Sequence, residues 1–159
     1  MSNDNRYAFL QDDEPYVIAE VGGNHGGDVE KAKTYVTRAA ETGVDSEDVD
    51  DLMWGCAQQR SEQGNNMARV IALLSDLGES VPATTVNRWC ASSAQTIISA
   101  SDAVRAGQRH CIIAGGVESM SRVPMGENTH NVHPRLAQEY NIGELQMGMT
   151  AETVAKEHG

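Results

Sequence analysis

The sequence predicts an α/β protein built on a mostly parallel sheet. Short apolar runs rich in β-branched residues alternate along the chain with segments of helical period, and glycine or polar turns separate them. A chain of 159 residues can bury the core of one domain, or of a domain plus part of another.

The elements follow in order. Residues 1–14 are a polar leader. PYVIAEV (Pro15 to Val21) reads as a buried strand, and GGNHGGD as a glycine-rich turn with Asp28 capping the next helix. Ala32, Tyr35, Val36, Ala39 and Ala40 recur at helical spacing up to a stop at Gly43, so 15–44 is one β-turn-α unit. Ser46 is placed to cap a short helical turn through SEDVDD, and LMWGC (Leu52 to Cys56) is a short strand. AQQRSEQGNN is a polar loop. MARVIALLSDLG (Met67 to Gly78) has the spacing of an amphipathic helix with a closing glycine, and VPATTVN (Val81 to Asn87) has the β-branched density of a strand.

From Ala91 to Ala106 small residues are so dense that the helix is expected to be buried and packed on several sides, with Ile97, Ile98 and Val104 as its larger contacts. HCIIAGG (His110 to Gly116) is a strand whose final glycines allow close approach of backbone or ligand. A long polar connection, MGENTHNVHPRLAQEYNIGELQ, leads to a last helix, TAETVAKEH, with Thr150 as its cap.

Composition excludes several function classes. The net charge is -11, from 23 acidic and 12 basic residues, and the lysines are Lys31, Lys33 and Lys156, so no phosphate-tracking nucleic-acid surface is expected. Either a high-salt cytoplasm or an ordinary acidic soluble protein accounts for the acidic excess. Cys56, Cys90 and Cys111 form no CxxC pair, which points to a reducing compartment rather than a disulfide framework or zinc ribbon. No apolar run approaches the roughly 20 residues of a membrane span, and the opening lacks a signal peptide's basic and apolar regions. A soluble, cytoplasmic protein without a membrane partner is the expectation.

The residue that bears on function is Cys90, between a β-like run and a helix in TTVNRWCASSAQTIISA. Before a helix, unpaired amides and the dipole favour negative charge, which favours thiolate over thiol. That field supplies at most about 2 kcal/mol, so a general base must come from elsewhere in space. The Cys90 N–H is also placed to meet an oxyanion formed at its own sulfur. The alternative is a buried structural thiol, a common fate of free cysteine.

SEDVDDLMWGC, EQGNNMARVIALL, ESVPATTVNRWCASSAQTI, AGGVESMSRVPMG and QMGMTAETVA occur in succession. In order and spacing the chain from about residue 45 onward resembles the N-terminal part of a thiolase, an acetyl-CoA acetyltransferase or 3-ketoacyl-CoA thiolase, with 45–122 as the core and 123–159 as the start of the loop region. The resemblance implies a layered α-β-α fold, an acyl-CoA substrate, no bound cofactor or metal, and a homo-oligomeric intact enzyme. Cys90 is then the nucleophile that accepts an acyl group. Asn87 and Ser92 flank it as scaffold, and the turn containing Gly115, Gly116 and Glu118 packs beneath the site. Met147 matches a position along the pantetheine channel, the alternative being a core residue at a helix start.

Two departures qualify this. Residues 15–44 resemble instead the start of an N-acetylneuraminate (sialic acid) synthase, in which Glu20 faces the mouth of a barrel whose remaining units are absent here. A chimera is the expectation, with phosphoenolpyruvate condensation as the alternative chemistry. The second thiolase half, which brings two histidines and an acid/base cysteine, has no match in the chain, so a truncated fragment inactive alone, or a noncatalytic assembly fragment pairing through VPATTVN, is also implied. Glu127, His130 and His133 lack a third well-spaced ligand and read as a solvated loop rather than a metal site. Asn24 and His25 read as turn chemistry, or as a phosphate or sugar contact under the synthase resemblance.

Overall fold

The computed structural model describes residues 44–125 and 133–159. The expected leader, the 15–44 unit with Glu20, Asn24 and His25, all but its last residue Val44, and the loop residues Glu127 and His130 lie outside the described residues. The chain divides into two compact units, Met1–Met125 and Gly126–Gly159. No helix among the described residues is long and apolar enough to cross a membrane.

Among the described residues the first unit holds a three-stranded parallel sheet. Strand β1 (Asp51–Gly55) is central, β2 (Ala83–Val86) lies on one side and β3 (Ile112–Gly116) on the other. Leu52 pairs with Ala83 and with Ile113, and Gly55 with Val86 and Gly116, so all three strands end together. Helix α1 (Met67–Leu74) connects β1 to β2, and α2 (Ser92–Arg105) connects β2 to β3. The first crossover steps to one side of β1 and the second returns past it, so right-handed connections require the two helices to lie on opposite faces.

Side-chain alternation bears this out. Leu52, Trp54 and Ile113 pack with Ala68 and Ala72 of α1, whereas Ile112 and Ala114 pack with Ala100 of α2, joined by Met53, Ile97 and Val104. With both faces covered, β3 is buried at every residue, as a parallel strand requires. The layers are therefore α-β-α. The α2 face that is buried runs through Ser92, Thr96 and Ala100, while Ile98 is 53% exposed. The helix is thus covered by the sheet along one stripe and not on several sides, because the described residues supply one layer beneath it.

Local capping differs in detail from the sequence expectation. The turn at Ser46–Asp48 is preceded by Asp45 rather than capped by the Ser46 side chain. Asn66, at a left-handed φ of 56°, caps α1 and ties it to β2: its side chain accepts from Arg69 N and from the Thr85 hydroxyl, and donates to Ala83 O. Helix α1 ends at Leu74, and SDLG forms a turn closed by Gly78 N–H donating to Ala72 O, with Gly78 at φ 68°.

Among the described residues the second unit holds two helices, α3 (Pro134–Glu139) and α4 (Met147–His158). Helix α3 falls in what the sequence suggests is irregular connection; Pro134 in its first turn is preset for helix, and the His133 ring accepts from Arg135 N. Helix α4 starts before the expected cap Thr150, whose hydroxyl instead donates to Glu144 O from inside the helix.

Asp50 fixes the amino end of β3 by accepting from the N–H groups of His110 and Cys111. Burial pushes its carboxyl up, but those amide bonds and the nearby His110 and Arg109 charges outweigh it, leaving the group below its ordinary 3.8. An acid with a depressed folded pKa contributes stability that is present above 3.8 and lost as the pH falls through its folded value. Asp50→Asn is therefore expected to lower stability at neutral pH and to flatten the acid limb of the stability curve, measured by urea unfolding from pH 7 down to about pH 3.

Candidate active site

In a parallel sheet whose successive helices lie on opposite faces, a crevice opens at the carboxyl ends of the strands where the connections diverge. Here that point lies between β1, which leads to α1, and β2, which leads to α2. The loop after β2 is the Asn87–Ala91 turn, so topology alone brings Cys90 to the crevice. Cys90 is exposed, whereas Cys56 and Cys111 are buried. The helix begins at Ser92 with Ala91 as N-cap, which places Cys90 one residue ahead of the cap.

The turn is held in a demanding conformation. Trp89, immediately before the cysteine, has φ 49°, in the left-handed region where a bulky side chain costs of order 1–3 kcal/mol. Both sides of its backbone are pinned. Asn87 Oδ1 accepts from Trp89 N at 2.9 Å, and the Ser92 hydroxyl donates to Trp89 O. The same Ser92 oxygen accepts from Arg88 N at 2.9 Å. Asn87 and Ser92 thus fold the chain back around Trp89 and leave Cys90 at its crest.

The sheet carries the first turn of α2 at very short range. A Cβ on Gly55 would stand 2.5 Å from the Ser92 carbonyl carbon and Ser93 N, and one on Gly116 would collide with the Ser93 hydroxyl and stand 2.9 Å from Gly55 O. Gly115 leaves room for the Trp54 ring, which a Cβ would meet at 2.7 Å. The wholly buried Thr96 hydroxyl lies 2.7 Å from Ser93 O and 3.0 Å from Gly115 O, joining helix and strand. Of the two glycines ending β3, Gly115 thus admits a side chain and Gly116 the Ser93 side chain and the Gly55 carbonyl, while the closest backbone approach of the helix is at Gly55 of β1.

Glu118, after β3, accepts Ala57 N–H at 2.7 Å through Oε2 and the Gln63 amide at 2.7 Å through Oε1. The other side of the Ala57 peptide is also held, its carbonyl accepting from Asn87 Nδ2 at 3.0 Å. Asn87 and Glu118 therefore meet through one residue, Ala57, that the sequence does not single out. Gln63 is missed as well. It is 2% exposed, donates to Gln58 O at 2.9 Å and to Glu118, and accepts from Ser119 N. Its position in a run of polar residues gives no sign of this burial; the only hint is its neighbour Gly64, whose Cβ would press on Ser61 O at 3.2 Å.

Electrostatics separate the thiols. Burial, then the charge of Glu118, pushes the Cys56 thiol up to about 12, and its Sγ lies 3.9 Å from Glu118 Oε2. Burial likewise raises Cys111, with Asp50 and Asp48 adding to it. His110 sits beside Asp50 at 3.7 Å, at the amino end of β3 and so at the opposite end of the sheet from Cys90. His133 is occupied as the cap of α3. Among the described residues no group of His, Cys, Asp and Glu is arranged to hold a metal ion. Met147 belongs to the second unit, where it begins α4 and is 69% exposed, so it is not a core residue of that unit.

A family profile described as the thiolase N-terminal domain matches residues 31–159. Among similar proteins, the 3-ketoacyl-CoA thiolase of Serratia proteamaculans (strain 568) is 44% identical over 115 residues, 72% of this chain and 30% of the relative. That of Erwinia tasmaniensis is 46% identical over 116 residues, covering 73% of this chain and 30% of the relative. That of Aliivibrio fischeri is 46% identical over 116 residues, with the same coverage of 73% and 30%. The chain thus spans about 30% of the length of these relatives.

Two outcomes are expected from this geometry. At pH 8, iodoacetamide modifies Cys90 well before Cys56 and Cys111; the thiols fall on separate tryptic peptides, Cys90 on 89–105, so mass spectrometry reads each rate. Gly55→Ala lowers the unfolding free energy by about 1–3 kcal/mol in urea titrations, since the new Cβ meets backbone that cannot rotate away.

Proposed function

Because the chain belongs to the thiolase family, its residues 31–159 matching that family's N-terminal domain, we propose that it carries the nucleophilic part of a thiolase-type acyl transfer. Cys90 holds the acyl group. The observation that carries this reading is an exposed cysteine presented on a strained, doubly pinned turn at the carboxyl ends of a parallel sheet, just ahead of a helix.

The step proceeds as follows. The Cys90 thiolate adds to the carbonyl carbon of an acyl-CoA thioester, and a tetrahedral oxyanion forms. As it collapses, the bond to the CoA sulfur breaks, CoA leaves as thiolate and takes a proton, and the acyl group remains on Sγ. In the second transfer the acceptor, the sulfur of CoA or the α-carbon of another acyl-CoA, loses a proton to a base or to water and bonds to the acyl carbon, and the Sγ–acyl bond breaks to regenerate the thiolate. The dipole of α2 favours negative charge developing at this end of the helix, as on the oxyanion. Asn87, Ser92, Gly115, Gly116 and Glu118 act by holding the turn and the helix start rather than by touching the acyl group.

A thiol nucleophile also draws on a general base, a contribution typically worth about 10²–10⁴-fold. His110 is at the wrong end of the sheet to serve. Acylation of Cys90 is accordingly expected to be slow and to stop at one group per chain. Met147 is proposed to line the path of the pantetheine arm, and acyl-CoA is the proposed small-molecule partner. Self-association of copies is supported by β2, whose outer edge has no strand paired to it among the described residues.

The test is direct. Incubation with acetyl-CoA is expected to add an acetyl group, sensitive to hydroxylamine, to the tryptic peptide 89–105, and Cys90→Ala to abolish it. Labelling that survives Cys90→Ala, or that falls on the peptides of Cys56 or Cys111, rejects the assignment.

A further inference from the structure

Gln63 is one of three buried polar side chains in the described core, and unlike Ser92 and Thr96 it lies on no regular helix that touches the cysteine turn. Its hydrogen bonds are nevertheless all directed at the loops that build the crevice. Nε2 donates to Gln58 O in the loop after β1 and to Glu118 Oε1 after β3; Oε1 accepts from Ser119 N. Glu118 passes the constraint to Ala57 N, the Ala57 carbonyl receives Asn87 Nδ2, and Asn87 Oδ1 holds Trp89 N. The series runs without a gap from a buried amide to the backbone immediately before Cys90.

We propose that Gln63 is a positioning residue for Cys90, acting through Glu118, Ala57 and Asn87 to keep Trp89 in its left-handed conformation. The chemistry of the pair explains why an amide is needed. Glu118 is an acceptor on both oxygens, committed to Ala57 N and Gln63, while Gln63 must donate to it and at the same time accept from Ser119 N. An apolar residue of the same size leaves a carboxylate partly unpaired inside the protein, and a carboxylate at 63 opposes Glu118 directly. Either change releases the Ala57 peptide. Asn87 then loses its anchor, and the strained turn relaxes toward ordinary backbone.

The inference rests on Cys90 being the reacting thiol, and alkylation tests it without any acyl donor, so its failure is separable from failure of acetyl-CoA labelling. The full chain is treated with iodoacetamide and the rate at Cys90 is read from peptide 89–105, under conditions where circular dichroism shows each variant folded. Gln63→Glu is expected to slow Cys90 alkylation by about threefold. The swap Gln63→Glu with Glu118→Gln restores a donor facing an acceptor and still leaves an acceptor for Ala57 N and one for Ser119 N, but gives up the donor to Gln58 O; it is expected to recover at least half of the lost rate. Leu52→Ala, which destabilises the same sheet from the α1 side, is expected to leave the folded-state rate unchanged. If Gln63→Glu does not accumulate as folded protein, Gln63→Met removes the donor and acceptor without adding charge, and the same loss is expected. A parental rate in either single variant, or a loss of which the swap recovers less than half, overturns the proposal.

Discussion

The first turn of α2 rests on bare backbone, and the rest of the candidate site follows from that contact. Gly55 and Gly116 end neighbouring strands in register, and only hydrogen at both positions lets Ser92 and Ser93 descend to within van der Waals range of the sheet. A helix lowered this far brings its amino end level with the strand termini. The preceding residues must then reverse within a few bonds, which forces Trp89 into a left-handed conformation. Strain at this point is tolerated because Asn87 and Ser92 hold both sides of the Trp89 backbone.

Charge and burial then sort otherwise similar groups into different roles. Cys56 and Cys90 both follow strands at the same end of the sheet, yet one is sealed beside a carboxylate with its thiol raised to about 12 and the other is exposed. The Glu118 carboxylate that suppresses Cys56 also anchors Ala57, so the group that silences one thiol supports the loop facing the other. The Glu118 carboxylate is thereby tied into one backbone and one side-chain amide donor.

Much of the first unit was legible from local signals. LMWGC, VPATTVN and HCIIAGG became β1, β2 and β3, because β-branched and apolar runs between turns mark strands. MARVIALL and SSAQTIISASDAVR became α1 and α2 through their 3.6-residue period. Caps were less legible: Asp45 rather than Ser46 precedes the Ser46–Asp48 turn, Asn66 caps α1, and Pro134 starts a short helix inside a segment that reads as loop. Capping depends on a few dihedral angles and on what the freed side chain can reach, and Asn66 reaches β2, 17 residues away.

Sequence by itself determined the identity and order of the elements, the presence of a cysteine before a helix of small residues, and the glycines that end β3, because each is a property of a few consecutive residues. Tertiary structure alone decided that Gln63 is buried and that Ala57 is the meeting point of Asn87 and Glu118. Those contacts join residues 30 to 61 positions apart. They exist because a parallel sheet gathers the ends of strands that are distant along the chain, a consequence of register and crossover hand that no local pattern encodes.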